Sequence, residues 1–368
     1  MTKMNFLKGF EKDLGKLDVQ IGAGEPPRYW YSTGNYVLNR IISGSFYRGI
    51  PQGRVTGLVG PSGAGKSFLA ANLMASAQHA GAFVLSIDSE NASDEKFVRA
   101  IGVDTSLENY RYVGVNTIPQ VSKVVSSFIN GYRADFGSDD SDAPQVLITI
   151  DSLDMLMTET EEANFGKGVT KGDQGQRNKQ LKAMLRTFVQ SIKKLNISIV
   201  VTDGVYENQN VMNGEGLYIA KQAIRFSLSQ IIMLTKLKLK DTGATDVKGI
   251  RMKCEGFKTR FTKPFQRVVV EVPYEEGMNP NSGLLNVATE LDIVVKKGSR
   301  YQTIDEDSTW TALNKEVPPE RAKQIVKLAE AKSDAFLLAT GVSDDDIAEP
   351  DDKRSSRTKR KTKVDKGE

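Results

Sequence analysis

From Arg54 onward the chain alternates short, nearly all-apolar runs with longer stretches in which apolar residues recur every three or four positions. The apolar runs are RVTGLVG (54–60), AFVLSID (82–88), YRYVGV (110–115), QVLITID (145–151) and ISIVVTD (197–203). Their length and β-branched content predict strands, and the stretches between them predict helices over 66–79, 94–101, 118–132 and 178–195. A strand that is apolar on both faces needs cover on both faces. The pattern therefore predicts an α/β fold with a mostly parallel sheet and helices on either side. After Ser229 the rhythm changes to IIMLTKLKL, a DTGATD turn, KGIRMKCEGF and FQRVVVEV, which predict consecutive antiparallel strands extending the sheet.

The flanks follow other rules. Phe6, Phe10, Leu14 and Leu17 share one helical face among Lys and Glu, which predicts an amphipathic helix over 3–17, broken by the prolines and glycines of GAGEPPR. A helix this short has little core of its own. It must dock, either on its own domain or on another copy of the chain. The chain divides accordingly into a helix and linker (1–28), a core (29–276), a small C-terminal domain (277–342) and a tail (343–368). The tail, an acid block DDDIAEPDD followed by basic KRSSRTKRKTK, is too poor in apolar residues to fold and is expected to be disordered. Its basic part either stays solvated or captures duplex DNA loosely.

Composition narrows the function classes. At 368 residues, with 39% hydrophobic and 26% charged, the chain has the length and balance for one large core plus small attachments. Its apolar stretches fall far short of the roughly 20 residues of a bilayer span. The N-terminus mixes acids and lysines where a secretory signal has an apolar block, so a cytoplasmic protein with no membrane partner is expected. Cys254, alone, excludes an internal disulfide. His79, alone, excludes histidine-rich metal sites and is expected at a solvated helix end. The net charge of +4 is too small to indicate a nucleic acid by itself.

The candidate chemistry begins at Gly60. Gly60, Gly65, Lys66 and Ser67 match G-x-x-x-x-G-K-[ST] between a predicted strand and a predicted helix. With Pro61, Ser62, Gly63 and Ala64 they form a loop whose backbone N–H groups turn inward on phosphates. The Lys66 ammonium reaches the β and γ phosphates, and the Ser67 hydroxyl ligates Mg²⁺. Asp151 ends an apolar strand, where a carboxylate either orients that Mg²⁺ or caps a helix. Glu90 ends the strand after the P-loop helix. Adjacent parallel strands bring their ends to one edge, so Glu90 either faces the γ phosphate, placed to orient and deprotonate water, or is a surface acid beside a helix cap.

These motifs, in this order, resemble the RecA recombinase family, most closely its phage UvsX-like branch. RGIPQGRVTGLVGPSGAGKS resembles the approach to the family's P-loop, DSENASDEKFVRAIGVD its catalytic-glutamate segment, and ITIDSLDML its metal-binding strand. YEEGMNPNSGLLNVATELDIVVKKGSRY resembles the end of its core, so the likeness covers about residues 30 to 301. The resemblance implies a RecA-type P-loop ATPase core, an N-terminal polymerisation helix, and an ATP- and Mg²⁺-dependent recombinase. Such a protein forms filaments on single-stranded DNA and exchanges strands with homologous duplex DNA in recombination and repair. It further implies that Glu90 is the catalytic base, that Asp94 holds the adenine edge and that Phe97 stacks on it. Lys258 and Arg260 would reach across a subunit boundary to the neighbour's ATP.

The resemblance also implies two DNA-binding loops, at about 157–177 and 204–221. In them Lys167, Lys171 and Arg177, with Lys179 just beyond, would contact phosphates, and Tyr206, Met212 and Tyr218 would stack or wedge between bases. Partners implied are DNA, further copies of the chain, and single-strand-binding and mediator proteins. One departure stands out: Asp203 and Gly204 occupy a corner where the family has a polar amide or imidazole sensing the γ phosphate. A carboxylate there is repelled by phosphate unless a cation or proton offsets it. Two alternatives share these features, a ring-forming helicase-like motor and a degenerate DNA-binding filament protein with uncoupled ATPase.

Overall fold

A computed structural model describes residues 3–14, 26–90, 94–169, 175–207, 218–240, 245–312 and 316–340. Positions 241–244 of the expected turn, Lys171, Met212 and the charged tail lie outside the described residues. The chain forms two compact units, Met1–Leu284 and Leu285–Glu368.

The first unit opens with α1 (Lys3–Leu14), β1 (Trp30–Tyr31), α2 (Tyr36–Ser43) and β2 (Ile50–Pro51). The expected βα alternation follows as β3 (Val55–Val59), α3 (Lys66–His79), β4 (Phe83–Asp88), α4 (Glu95–Ile101), β5 (Tyr110–Gly114), α5 (Ile118–Phe136) and β6 (Val146–Asp151). Next come α6 (Glu159–Gly166), α7 (Gln176–Ser191), β7 (Ile197–Asp203), β8 (Val205–Glu207), β9 (Tyr218–Ala220) and α8 (Gln222–Ser227). The unit closes with β10 (Gln230–Leu239), β11 (Gly249–Lys258) and β12 (Arg267–Pro273).

Eight strands form one sheet in the order β12-β11-β10-β3-β7-β6-β4-β5. Strands β3 to β7 pair in parallel, β10 joins β3 in parallel, and β11 and β12 extend the edge antiparallel. The order corrects one expectation. Strand β4 does not lie beside β3, because β7 and β6 intervene. The neighbour of β4 on the catalytic side is instead β6, which brings Asp88 opposite Asp151.

The period-two alternation of side chains divides the sheet into two faces. On one, Ile148, Ile150, Ile199 and Val201 pack with Val121, Val125 and Ile129 of α5 and with Leu185 and Phe188 of α7. On the other, α3 covers the strands, and the Thr149 hydroxyl approaches Met74 Sδ at 3.7 Å. Local signals explain where the helices begin: Thr117 and Gln120 form a capping box at α5, and Asn35 caps α2 by accepting from Leu38 N. Cys254 is fully buried, and His79 ends α3 with Nδ1 2.7 Å from the Ala75 carbonyl.

The second unit runs from α9 (Leu284–Glu290) through β13 (Val294–Lys297), β14 (Arg300–Thr303) and β15 (Thr309–Trp310) to α10 (Pro319–Thr340). Its three strands are antiparallel. Buried Trp310 stacks on Tyr301 at 5.3 Å and donates to Thr303 Oγ1. No helix among the described residues is long and apolar enough to cross a membrane.

Ile148 sits on β6 between two paired strands and is completely buried. Ile148→Ala is expected to lower the unfolding free energy by about 2–5 kcal/mol, because a central strand cannot collapse into the void. Urea denaturation followed by circular dichroism reads this, and a loss below about 1 kcal/mol would contradict the placement.

Candidate functional site

The loop between β3 and α3 is shaped by glycines with distinct jobs. Gly65 precedes α3 in a left-handed conformation (φ 96°), and Gly63 is also left-handed (φ 66°). Gly60 is fixed by proximity, since a Cβ there would fall 2.2 Å from the Leu234 carbonyl oxygen on β10. The loop thus curls tightly before a helix N-terminus, whose free N–H groups favour an anion.

Lys66 folds back on this loop, donating from Nζ to the carbonyls of Gly60 (3.0 Å) and Pro61 (3.2 Å). Burial lowers its pKa, and the nearby charges of Asp151, Glu90 and Asp203 oppose that shift. Burial raises the pKa of the Asp151 carboxyl, with Glu90 and Asp88 pushing the same way, while hydrogen bonds from Thr202 and Ser67 hold it down. The Ser67 hydroxyl therefore sits against a carboxylate that is short of positive charge. A hydroxyl and a strand-end carboxylate on one side, with a lysine and a helix N-terminus on the other, suit a hydrated divalent cation bridging phosphate oxygens.

Glu90 lies two residues past the end of β4, and four groups hold its segment. Its N–H donates to Asp88 Oδ1 (2.8 Å), and the Tyr112 hydroxyl donates to Asp88 Oδ2 (3.2 Å). The Ser152 hydroxyl donates to Glu90 Oε1 (2.6 Å). Ser152 is itself braced on Ser89, donating N–H to Ser89 Oγ (3.0 Å) and accepting from that hydroxyl at its carbonyl (2.5 Å). Ser152 and Tyr112 were not among the residues singled out from sequence. Glu90, Asp151, Ser67, Asp88 and Phe97 line one small cavity of about 40 Å³. Phe97 is 40% exposed on α4, whereas Asp94 caps that helix by accepting from Lys96 N (2.9 Å).

The two loops expected to bind DNA start from the same sheet edge. Half of the first is helical: α6 begins with a capping box of Thr158 and Glu161, a T-x-x-E signal visible in the sequence. Lys167 and Lys179 are exposed. The Arg177 guanidinium donates to the carbonyls of Leu156 (2.8 Å), Leu153 (2.8 Å) and Asp154 (2.6 Å), fastening the turn after β6. In the second loop, β8 and β9 pair as a stem that carries Tyr206, 53% exposed, and Tyr218, half-buried.

The Asp203 corner is more elaborate than its sequence suggested. The Asp203 side chain is 4% exposed, its carbonyl accepts from the P-loop residue Gly60 (3.2 Å), and burial pushes its carboxyl up to about 7. Lys221, at the end of the second loop, pairs with it at 3.4 Å. The offset that the departure demanded is present as both a cation and a raised affinity for a proton.

Lys258 and Arg260 lie elsewhere. Lys258 is level with Ile231, which pairs with Gly57 in mid-strand, and its Nζ donates to the Arg225 carbonyl (2.9 Å). Arg260 depresses the pKa of Arg54, the residue that precedes β3, second only to burial. Lys258 thus stands level with the middle of β3 and Arg260 near its beginning, and the P-loop follows its end. From the first to the last of five residues, four rises of about 3.3 Å separate the ends of a strand by roughly 13 Å.

If Glu90 is the base, Glu90→Gln should lower triphosphate hydrolysis by about 10²–10⁴-fold with triphosphate affinity held within about threefold. Turnover and fluorescent-nucleotide titration read the two separately. A parallel loss of affinity would instead assign Glu90 to binding.

Comparison with known proteins agrees with this geometry. The family model described as the RecA N-terminal domain matches residues 4–279. The chain is similar to Protein RecA of Clostridioides difficile, at 26% identity over 312 residues that cover 81% of this chain and 83% of that protein. It is also similar to Protein RecA of Deinococcus radiodurans (28%, covering 82% and 76%) and of Thermus aquaticus (25%, covering 92% and 96%). The P-loop, the acidic cluster around it and a family match spanning most of the length converge: this chain belongs to the RecA recombinase family.

Proposed function

We propose that this RecA-type recombinase couples Mg²⁺-dependent ATP hydrolysis to assembly on single-stranded DNA, with each nucleotide site completed by Lys258 and Arg260 of a neighbouring copy. DNA-dependent ATPase activity, DNA binding and self-association belong to it as a family member. The observation that carries the finer reading is the separation of the cations from the P-loop of the same protomer. Two cations set back along β3 from the P-loop serve phosphate only if another copy presents its P-loop to them. Cations supplied in trans stabilise the charge of the transferring phosphoryl group only after assembly, which ties hydrolysis to the filament.

Within one protomer the roles divide by position. Lys66 and the loop from Gly60 to Ser67 hold the phosphates. Ser67 and Asp151 hold Mg²⁺, which when bound neutralises charge on the β and γ oxygens. Glu90, oriented by Ser152, takes a proton from water, and Phe97 offers its exposed ring to the adenine, with Asp94 at the base's edge. Lys167, Lys171 and Lys179 meet DNA phosphates, and Tyr206, Met212 and Tyr218 meet bases. Such contacts carry no sequence code, in keeping with homology read by base pairing with a duplex. Helix α1, with Leu7 and Phe10 about half exposed, is the segment offered to a neighbouring copy. Single-strand-binding and mediator proteins are the further partners this reading implies.

Complementation tests it. Lys258→Ala with Arg260→Ala should abolish DNA-stimulated turnover, a loss of at least about 10³-fold for a cation supplied in trans, and leave nucleotide binding intact. Mixing that variant with Lys66→Ala protomers should restore activity, because the first contributes a P-loop and the second the cations. A mixture that stays inactive, or a double variant with normal stimulation, would refute the shared site.

A further inference from the structure

The roots of both candidate DNA loops meet in one partly buried ion-paired cluster. Asp154 stands just after β6, at the root of the first loop. Asp203 and Gly204 stand at the end of β7, at the root of the second, and Lys221 closes that loop immediately before α8. Lys221 Nζ pairs with Asp154 Oδ1 and, at 3.4 Å, with Asp203 Oδ1. The other Asp154 oxygen accepts from Gly204 N at 3.0 Å. The approach is so close that a Cβ on Gly204 would fall 2.1 Å from Asp154 Oδ2. The Lys221 side chain is only 13% exposed, and its Nζ also lies 5.9 Å from the Tyr206 ring centroid.

This cluster touches the phosphate site. Asp203 is bonded through its carbonyl to the first glycine of the P-loop and acts electrostatically on Lys66. Lys66 in turn repels Lys221. A triphosphate seated on Lys66 reverses that repulsion, because the added negative charge attracts Lys221 at close range in a poorly solvated setting. Lys221 then has three anionic claimants. Asp203, 4% exposed, cannot be left unpaired at low cost, whereas Asp154, 37% exposed, is readily solvated when released.

We propose that Lys221 is the positioning residue through which bound triphosphate sets the affinity for single-stranded DNA. The phosphate draws its ammonium off Asp154 while the pairing with Asp203 is kept, and the tie between the two loop roots opens. This rests on the recombinase reading above.

The test compares affinity for a labelled single-stranded oligonucleotide, by fluorescence anisotropy, in ADP and in a slowly hydrolysed ATP analogue, with DNA-free turnover as a control. Wild type should bind more tightly with the analogue. Asp154→Asn loosens the tie without nucleotide, so binding in ADP should rise and the analogue-to-ADP ratio should shrink by about tenfold, with DNA-free turnover unchanged. Gly204→Ala breaks the same tie by displacing the Asp154 carboxylate and should act in the same direction. Lys221→Gln loosens the same tie and should likewise raise binding in ADP and flatten the ratio, and Lys221→Arg should recover it. Variants that fold by circular dichroism yet keep the wild-type ratio would overturn the role of Lys221 alone. A wild type that does not bind single-stranded DNA with the analogue would overturn the recombinase reading and this inference with it.

Discussion

Carboxylates crowding one half-buried ammonium are the constraint on which the rest of the molecule depends. Asp151, Glu90 and Asp203 all act on Lys66, and Asp88 adds its charge to Asp151 from the neighbouring strand. Burial makes the ionised Asp151 and Asp203 costly, and of these two Lys221 pairs only with Asp203. The proposed ligands would bring the matching charge pattern, a divalent cation against the acids and phosphate oxygens against the lysine and the helix N-terminus. The parallel sheet makes the crowding unavoidable, because it delivers the ends of β3, β4, β6 and β7 to the same edge.

The same sheet bears on the proposal that a neighbouring copy completes the nucleotide site. The antiparallel extension returns β11 toward the start of β3, which carries Lys258 and Arg260 away from the edge where the phosphates bind. The candidate DNA loops, in contrast, spring from the phosphate edge, and Arg177, Asp154, Asp203 and Lys221 stitch their roots together.

Much of this was legible along the chain, because apolar periodicity and the P-loop signature are local. The strands ending at Asp151 and Asp203 fell where the pattern placed them, and α3 spans Lys66–His79 as expected. What escaped was pairing between distant positions. Strand order is one case, since apolar runs do not declare which neighbour they choose. Ser152 is another: it holds Glu90 from 62 positions away, and nothing in DSLDML marks its hydroxyl as a brace. Lys221 reaches Asp154 across 67 positions, and it looked like an ordinary cation after a polar loop. The T-x-x-E of Thr158 and Glu161 was visible, but it was overshadowed by the polar composition that suggested an irregular loop.

The most direct measurement is electron microscopy of the protein on single-stranded DNA with a slowly hydrolysed ATP analogue, at a resolution that shows side chains. The account predicts a continuous helical filament in which each triphosphate lies on the P-loop of one protomer, with Lys258 and Arg260 of the next protomer against its γ phosphate. Closed rings, or a filament whose nucleotides are reached by no neighbouring cation, would contradict it.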